Sequence, residues 1–259
     1  MNVYTWNVLN PAFAAMTWSG FVDAAEAKQL GRLDQARDRV KAVLEIVGVW
    51  LAEPAVVCLQ EVWPELRTGL EAAYGKRCAA SSEAATIVSG YPLLSSRVIK
   101  LPGPPPKTAL VCDVAGVEVV NVHFHWRWAD LKGAAKALKP RGPQVVAGDF
   151  NKEWEALGGM LEGRAGTRTG ATAINPTTNQ MGGIDHVLAT PHFKRPRPTL
   201  VVKAAGYTLR YDFKEILKKK EFKGVSDHSP LHVILRRKPS RASRTRAKRN
   251  AGGFRGKTV

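Results

Sequence analysis

Carboxylates, amides and imidazoles recur in six short islands along this 259-residue chain. In order they are Thr5-Trp6-Asn7, Leu59-Gln60-Glu61, Asn121-Val122-His123, Gly148-Asp149-Phe150-Asn151, Ile184-Asp185-His186 and Ser226-Asp227-His228. Carboxylate and amide oxygens are the ligands that hard divalent cations take. An Asp–His pair prepares a water for attack, and further amide and imidazole donors steady charge on phosphorus oxygens. Together they make the inventory of a metal-assisted phosphoester hydrolase.

Each island also has a plainer reading. Gly148-Asp149-Phe150-Asn151 is the sharpest: Asp149 and Asn151 share one face if the strand continues, and Gly148 allows close backbone approach. Alone it is also an ordinary Asp/Asn turn. Glu61 read alone is a solvated carboxylate at a strand end, Ser226-Asp227-His228 a surface turn, and His123 a core histidine. His123 and His125 are spaced as a zinc pair, yet no matching Cys or further His cluster accompanies them. Joint occurrence in one chain is what points to a site.

Most islands end an apolar, β-branched run, so strand ends must deliver them. Val3–Val8 reads as a strand ending near Asn7, and Ala55–Leu59 as a strand buried on both faces with Gln60-Glu61 at its end. Between them, Leu33–Leu51 repeats apolar residues at helical spacing until Pro54. Pro64 suits the first position of a helix over Glu65–Tyr74. From Cys78 to His125 strands alternate with turns: Ala84–Ser89, Leu93–Leu101, Thr108–Val114, a tight reversal at Ala115-Gly116, then Val117–Phe124. A short helix over Ala129–Leu138 precedes the strand Gln144–Ala147 and a helical stretch, Glu153–Leu161. Gly163–Gly183, rich in Gly, Thr and Asn, reads as a surface loop near the site. Ile184–Leu188, Leu200–Val202 and Leu231–Leu235 are the last strands, and 207–224 holds a short basic helix or loop. Such a mixture implies two packed sheets with helices outside and strand ends converging on one cleft.

The charge balance narrows the partners. Lys and Arg number 39 against 22 Asp and Glu, a formal net charge of +17. Residues 236–259 carry ten of those basic residues, among them Arg236, Arg237, Lys238, Arg241 and Arg244, and no acid; taking the ten away leaves +7 on the body. Nucleic acid is the first partner such charge favours and an anionic membrane surface the second. Residues 1–237 read as one catalytic domain and 238–259 as a disordered basic tail, also readable as a nuclear-import signal. Cys58, Cys78 and Cys112 have no metal-ligand spacing and read as reduced thiols of a cytoplasmic protein, or a nuclear one in a eukaryotic host. Lys41, Glu45 and Glu53 interrupt the best candidate for a membrane span, so no integral membrane association is expected. The first strand begins near Asn2, so no secretory leader is expected.

In Trp6-Asn7, Leu59-Gln60-Glu61-Val62, Val122-His123-Phe124, Gly148-Asp149-Phe150-Asn151, Ile184-Asp185-His186-Val187-Leu188 and Ser226-Asp227-His228-Ser229-Pro230-Leu231, the chain resembles the endonuclease/exonuclease/phosphatase superfamily. Thr86-Ile87-Val88-Ser89-Gly90-Tyr91-Pro92 is a weaker match. The likeness spans residues 3–235, in the family's order. It implies an α/β (α+β) four-layer sandwich of the deoxyribonuclease I kind: two packed, mainly antiparallel sheets flanked by helices. It also implies a divalent cation, Mg2+ with Mn2+ as a possible substitute, and direct attack by water without a covalent intermediate. Carried over by residue, Glu61 is the main metal ligand, Asn7 holds metal or phosphate, and Asp227 is a possible further ligand. His228 is base or phosphate-oriented imidazole, held by Asp185. Asp149 aligns the water or protonates the leaving oxygen, and Asn151 and His123 donate to phosphate oxygens.

Departures from the family pattern matter too. Asn7 precedes Val8-Leu9-Asn10-Pro11, where repair-type members carry an Asn or Asp and a Gly, which disfavours an abasic-site specialist. Gly90 stands in place of an Arg, and His186 in place of a frequent Tyr. Glu83 is the candidate partner for His123.

For substrate, the expectation is a monomeric nuclease on DNA or RNA, with Trp126 and Trp128 flanking Arg127 as a stacking and cation–π surface beside the cleft. Edge-of-core packing is the alternative for those rings. A phosphatase or phosphodiesterase on phosphoinositide or sphingomyelin-type headgroups ranks second, because the tail offers only Phe254 for insertion. A non-catalytic nucleic-acid-binding protein ranks third, since every catalytic position is filled.

Overall fold

Large apolar side chains alternate along the strands and so sort the chain into layers. In the computed structural model the described residues are 1–9, 37–80, 85–102, 107–125, 130–175, 180–209 and 226–239. Every residue of Ala55–Gln60 (β2) is buried, Val56 and Cys58 in one apolar cluster and Val57 and Leu59 in another. Successive side chains point to opposite faces, so β2 must lie between two packed layers.

The first sheet has six strands. Across it run Thr199–Leu200 (β12), Leu231–Ile234 (β15), Asn2–Asn7 (β1), β2, Thr86–Ser89 (β4) and Cys78–Ala80 (β3). The second has five: Asp185–Ala189 (β11), Gln144–Asp149 (β8), Val117–His123 (β7), Lys107–Val114 (β6) and Leu93–Leu101 (β5). Each sheet is antiparallel except for one central parallel pair, β1 with β2 and β7 with β8. Ala115 and Gly116 both have positive φ, 52° and 70°, which gives the β6–β7 hairpin the left-handed turn that matches strand twist.

Val3, Val56, Cys58, Leu110, Cys112, Val119, Val145 and Val187 fill the space between the sheets. Outside the first sheet, the helices Arg37–Leu51 (α1) and Pro64–Tyr74 (α2) bury Val43, Ile46, Val47, Leu66 and Leu70. Outside the second, Leu131–Ala137 (α3) and the 3-10 helix Trp154–Leu161 bury Leu131, Ala134, Leu157 and Met160. The result is the four-layer sandwich. No described helix is long and apolar enough to cross a membrane.

Four local expectations need correction. The stretch after Glu153 is a 3-10 helix, with Gly158 and Gly159 at its centre weakening any α-helical turn. Gly163–Gly183 is more than a surface loop, since Ala173–Asn175 (β9) pairs with Gln180–Gly182 (β10) and Thr172 is fully buried. Lys203–Ala204 (β13) and Tyr207–Thr208 (β14) form an unanticipated hairpin around Ala205-Gly206. The strand anticipated over Leu200–Val202 is two residues, Thr199–Leu200. The basic segment expected within 207–224 lies outside the described residues beyond Leu209.

Candidate active site

Sheet topology brings the islands together. The parallel pairs β1–β2 and β7–β8 end at Asn7, Gln60, His123 and Asp149. The antiparallel neighbours run the other way, so β11 opens at Asp185 opposite Asp149, and β15 follows His228 with Leu231 opposite Thr5. Carboxyl ends of parallel strands and amino ends of their antiparallel partners therefore share one edge of the sandwich.

At that edge His228 Nδ1 lies 2.9 Å from Asp185 Oδ2. That bond leaves Nε2 facing inward, 3.8 Å from Asp149 Oδ2 and 3.9 Å from Asp227 Oδ1. Asn7 Nδ2 donates to Glu61 Oε1 at 2.8 Å and to Asp149 Oδ2 at 3.1 Å. His123 Nε2 stands 3.7 Å from both Glu61 Oε1 and Asp149 Oδ2. Asn7, Glu61, His123, Asp149, Asp185, Asp227 and His228 thus form one contiguous cluster. Glu83 lies outside the described residues; among the described carboxylates, Glu61 and Asp149 face His123.

Four carboxylates share this pocket with two imidazoles and one amide, and their ionisation reflects it. Burial raises Asp227 to about 6, with the charges of Glu61 and Asp149 adding to it and that of His228 opposing. Asp149 is likewise raised, first by burial and then by Asp185, against the pull of His228 and His123. Burial works against a charged His228, but Asp185, Asp227 and Asp149 outweigh it and lift the imidazole well above its ordinary range. His186 titrates low instead because it is buried; its Nε2 bonds Lys152 O at 2.8 Å and its ring packs edge-on to Phe150. It is a core histidine.

The backbone is strained where it delivers these groups. Gly148 sits at φ 150°, and a Cβ there would lie 1.9 Å from the Val122 carbonyl oxygen, so only glycine lets β8 run beside β7. Leu9, Glu61 and Asn151 adopt φ of 54°, 60° and 49° just past the ends of β1, β2 and β8. Left-handed backbone is costly for such residues and concentrates at functional sites. It also overturns one expectation: the strand stops at Asp149, so Asn151 does not share its face. Instead Asn151 N–H donates to Asp149 Oδ1 at 2.7 Å, and its Nδ2 donates to Phe124 O at 2.8 Å.

Several supporting residues carry little signal in the sequence. Gln60 Nε2 donates to Asn121 Oδ1 at 2.7 Å, and Asn121 Nδ2 donates to Leu59 O and Thr86 O, a polar link between the sheets beneath the cluster. Ser226 Oγ donates to Asn7 O at 2.6 Å and accepts the His228 N–H at 3.1 Å, and Trp6 Nε1 donates to His228 O at 3.0 Å. Arg39, on α1, donates to the carbonyls of Val8 and Leu9 while stacking on Trp63. Their membership in the islands is the only sequence signal for Gln60, Asn121 and Ser226. Arg39 gives none.

Of the expected nucleic-acid contacts, those among the described residues fall elsewhere. Arg236, Arg237 and Lys238 follow β15 to the opposite end of the sheets, where Arg237 reaches Gly116 O and Lys238 N–H donates to His192 O. Trp126, Arg127, Arg241 and Arg244 lie outside the described residues.

The donor set fits a hard divalent cation. One atom each from Asp149, Asp185 and His228 lie within 4.8 Å of one another. Asp185 Oδ2 and His228 Nδ1 are already bonded to each other, and the nearby Glu61 and Asp227 oxygens are further candidate ligands. Burial first, and neighbouring carboxylates after it, penalise the charged forms of Asp149 and Asp227, and a bound cation would offset that penalty.

Residues 4–228 match the profile of the Endonuclease/Exonuclease/phosphatase family. No curated protein matches the chain. Among solved structures it is similar to the 3' phosphatase NExo from Neisseria, bound to a product DNA hairpin, at 17% identity and TM-score 0.54 over 91% of this chain and 99% of that one. A mannosyl-6-phosphatase from Bacteroides thetaiotaomicron is 14% identical, with a TM-score of 0.56 over 91% of this chain and 99% of that one. An endonuclease/exonuclease/phosphatase family protein from Leptotrichia buccalis is 11% identical, with a TM-score of 0.52 over the same shares. At such identities the likeness is one of fold.

Proposed function

Since the chain belongs to the endonuclease/exonuclease/phosphatase family, and so is a phosphoric ester hydrolase, we propose that it is a magnesium-dependent nuclease acting by direct attack of water on phosphorus. The observation that carries the reading is the His228–Asp185 pair turned, at 3.8 Å, toward an Asp149 oxygen that Asn7 and His123 also face. Glu61 and Asp227 would hold the cation, which would screen phosphate charge and activate oxygen nucleophiles when bound. His228, held by Asp185 and biased toward its charged form, donates through Nε2 to a phosphoryl oxygen. Asp149, toward which His228 Nε2 turns, orients the water or protonates the leaving oxygen. His123 and Asn7 add donors on the other side.

The net charge of +17 supports a polyanionic substrate. The Neisseria structure, a 3' phosphatase with DNA, supports nucleic acid and raises a second reading, removal of a terminal phosphate rather than chain cleavage.

Incubation with labelled duplex DNA, single-stranded DNA, RNA and a phosphoinositide, with magnesium or with EDTA, tests this. Magnesium-dependent shortening of a nucleic acid, lost in His228→Ala, is the expected result. Loss of a terminal phosphate at constant length selects the phosphatase reading, and turnover confined to the lipid refutes both.

A further inference from the structure

Asp185 and His228 are 43 residues apart, and one buried residue bonds to the backbone of both segments. That residue is Thr172, with no exposed surface. Its hydroxyl oxygen accepts the N–H groups of Ile184 and Asp185, each at 3.1 Å, and donates toward Gly182 O at 3.4 Å. Its carbonyl accepts the Ser229 N–H at 2.7 Å, and the next residue, Ala173, bridges to His228.

We propose that Thr172 is a positioning residue for the Asp185–His228 pair. The hydroxyl sets where β11 begins and hence where the Asp185 carboxylate hangs; the carbonyl sets the chain that carries His228. Asp185 needs this help. Its Oδ1 is buried with no hydrogen-bond partner among the described residues, so only the bond from Oδ2 to His228 orients the side chain. Charge-assisted bonds of this length weaken quickly with displacement, and misplacing a reacting group by ~1 Å can cost ~100-fold in rate.

The catalytic part of the test rests on the hydrolase reading; the spectroscopic part does not. Thr172→Val keeps the side-chain volume and removes the hydroxyl, while Thr172→Ser keeps the hydroxyl. With magnesium and bis(p-nitrophenyl) phosphate, Thr172→Val is expected to lower kcat by about 10- to 100-fold with little change in KM, and Thr172→Ser to restore it. In an Asp185→Asn background the same Val substitution should cost no more than about twofold, because the pair it serves is already broken. Equal losses in both backgrounds would make Thr172 a general structural residue and overturn the proposal.

Proton NMR of the metal-free protein supplies the second readout. The His228 Nδ1 proton, identified by its absence in His228→Ala, should be far downfield in wild type and Thr172→Ser and move upfield or broaden in Thr172→Val. An unmoved signal overturns the proposal even if no substrate is turned over; a moved signal without turnover in wild type refutes the hydrolase reading alone. Should the Val variant not fold, Thr172→Cys, whose thiol accepts only weakly, is read in the same way.

Discussion

His123 and His228 reach the same carboxylate oxygen, Asp149 Oδ2, with their Nε2 atoms at 3.7 and 3.8 Å. One imidazole ends a strand of the second sheet and the other precedes a strand of the first, so this oxygen marks where the two sheets meet. Asn7 Nδ2 approaches it from the first sheet at 3.1 Å. Three groups that donate when protonated converge on one acceptor.

Asp149→Asn replaces that acceptor arrangement with an amide and removes its proton exchange. The rate with any productive phosphoester is expected to fall by about 100- to 10,000-fold. Thermal stability of the metal-free variant should hold or rise, because burial already disfavours the charge being removed. Initial rates and melting curves on one preparation check both halves. A lower melting temperature with an unaltered rate would assign Asp149 to folding instead.

Asp227 makes the pH dependence explicit. Its carboxyl titrates at about 6 in the folded protein because burial, then the Glu61 and Asp149 charges, outweigh the attraction of His228. The unfolded chain ionises at ~4, so the folded state is penalised from there, where the unfolded carboxyl loses its proton and the folded one still keeps it. The penalty is absent below pH ~4, grows between ~4 and ~6, and reaches about 3 kcal/mol above that. His228 has the opposite sign: its raised value stabilises the fold below pH ~6.5, and that contribution is lost as pH rises through the folded value. Asp227→Asn should therefore raise the metal-free melting temperature at pH 7.5 and leave it unchanged at pH 4. The same substitution should shrink the rise in melting temperature that magnesium produces. A gain of equal size at both pH values would show that the effect does not come from a raised Asp227 carboxyl.

Gly148 has little latitude. Any Cβ there meets the Val122 carbonyl oxygen at 1.9 Å, and φ of 150° is unfavourable to every L side chain. Separating β7 from β8 would displace His123 and Asp149, which are paired in the same register. Gly148→Ala is expected to cost about 3–5 kcal/mol, read as a loss of soluble protein or a steep drop in the urea midpoint. A fully soluble variant with the wild-type midpoint would contradict the close approach.

What is legible in the sequence, and what is not, divides along physical lines. Asn7, Glu61, Asp149 and Asp185 end or open runs of buried apolar residues, and an apolar run that stops at a polar residue shows up without knowledge of the fold. The four layers are visible for the same reason, in strands such as Ala55–Gln60 that are buried on both faces. Alternation misplaces Asn151 because its orientation depends on a left-handed φ of 49°, which no alternation pattern records. Glu83, which the resemblance suggests as the partner of His123, lies outside the described residues, and the described carboxylates facing His123 are Glu61 and Asp149. Thr172, Gln60 and Asn121 act through contacts between segments remote in sequence, and threonines and amides are too common for position alone to mark them.

The basic residues after β15 point away from the catalytic end, and that placement separates binding from chemistry. Lys238 N–H donates to His192 O and Arg237 reaches Gly116 O at the far end of the sheets. Residues 240–259 contribute seven of the chain's positive charges. Such charge supports sequence-independent binding of a long polyanion. Deleting 240–259 is therefore expected to weaken binding of a long nucleic acid at low salt and to flatten its salt dependence, by about 0.9 in log–log slope for each duplex phosphate that the tail no longer neutralises. Turnover of bis(p-nitrophenyl) phosphate and the melting temperature should stay at wild-type values. Fluorescence anisotropy over a series of salt concentrations, paired with the small-substrate assay, separates the two effects; a truncated protein that loses turnover of the small diester would place the tail in the active site.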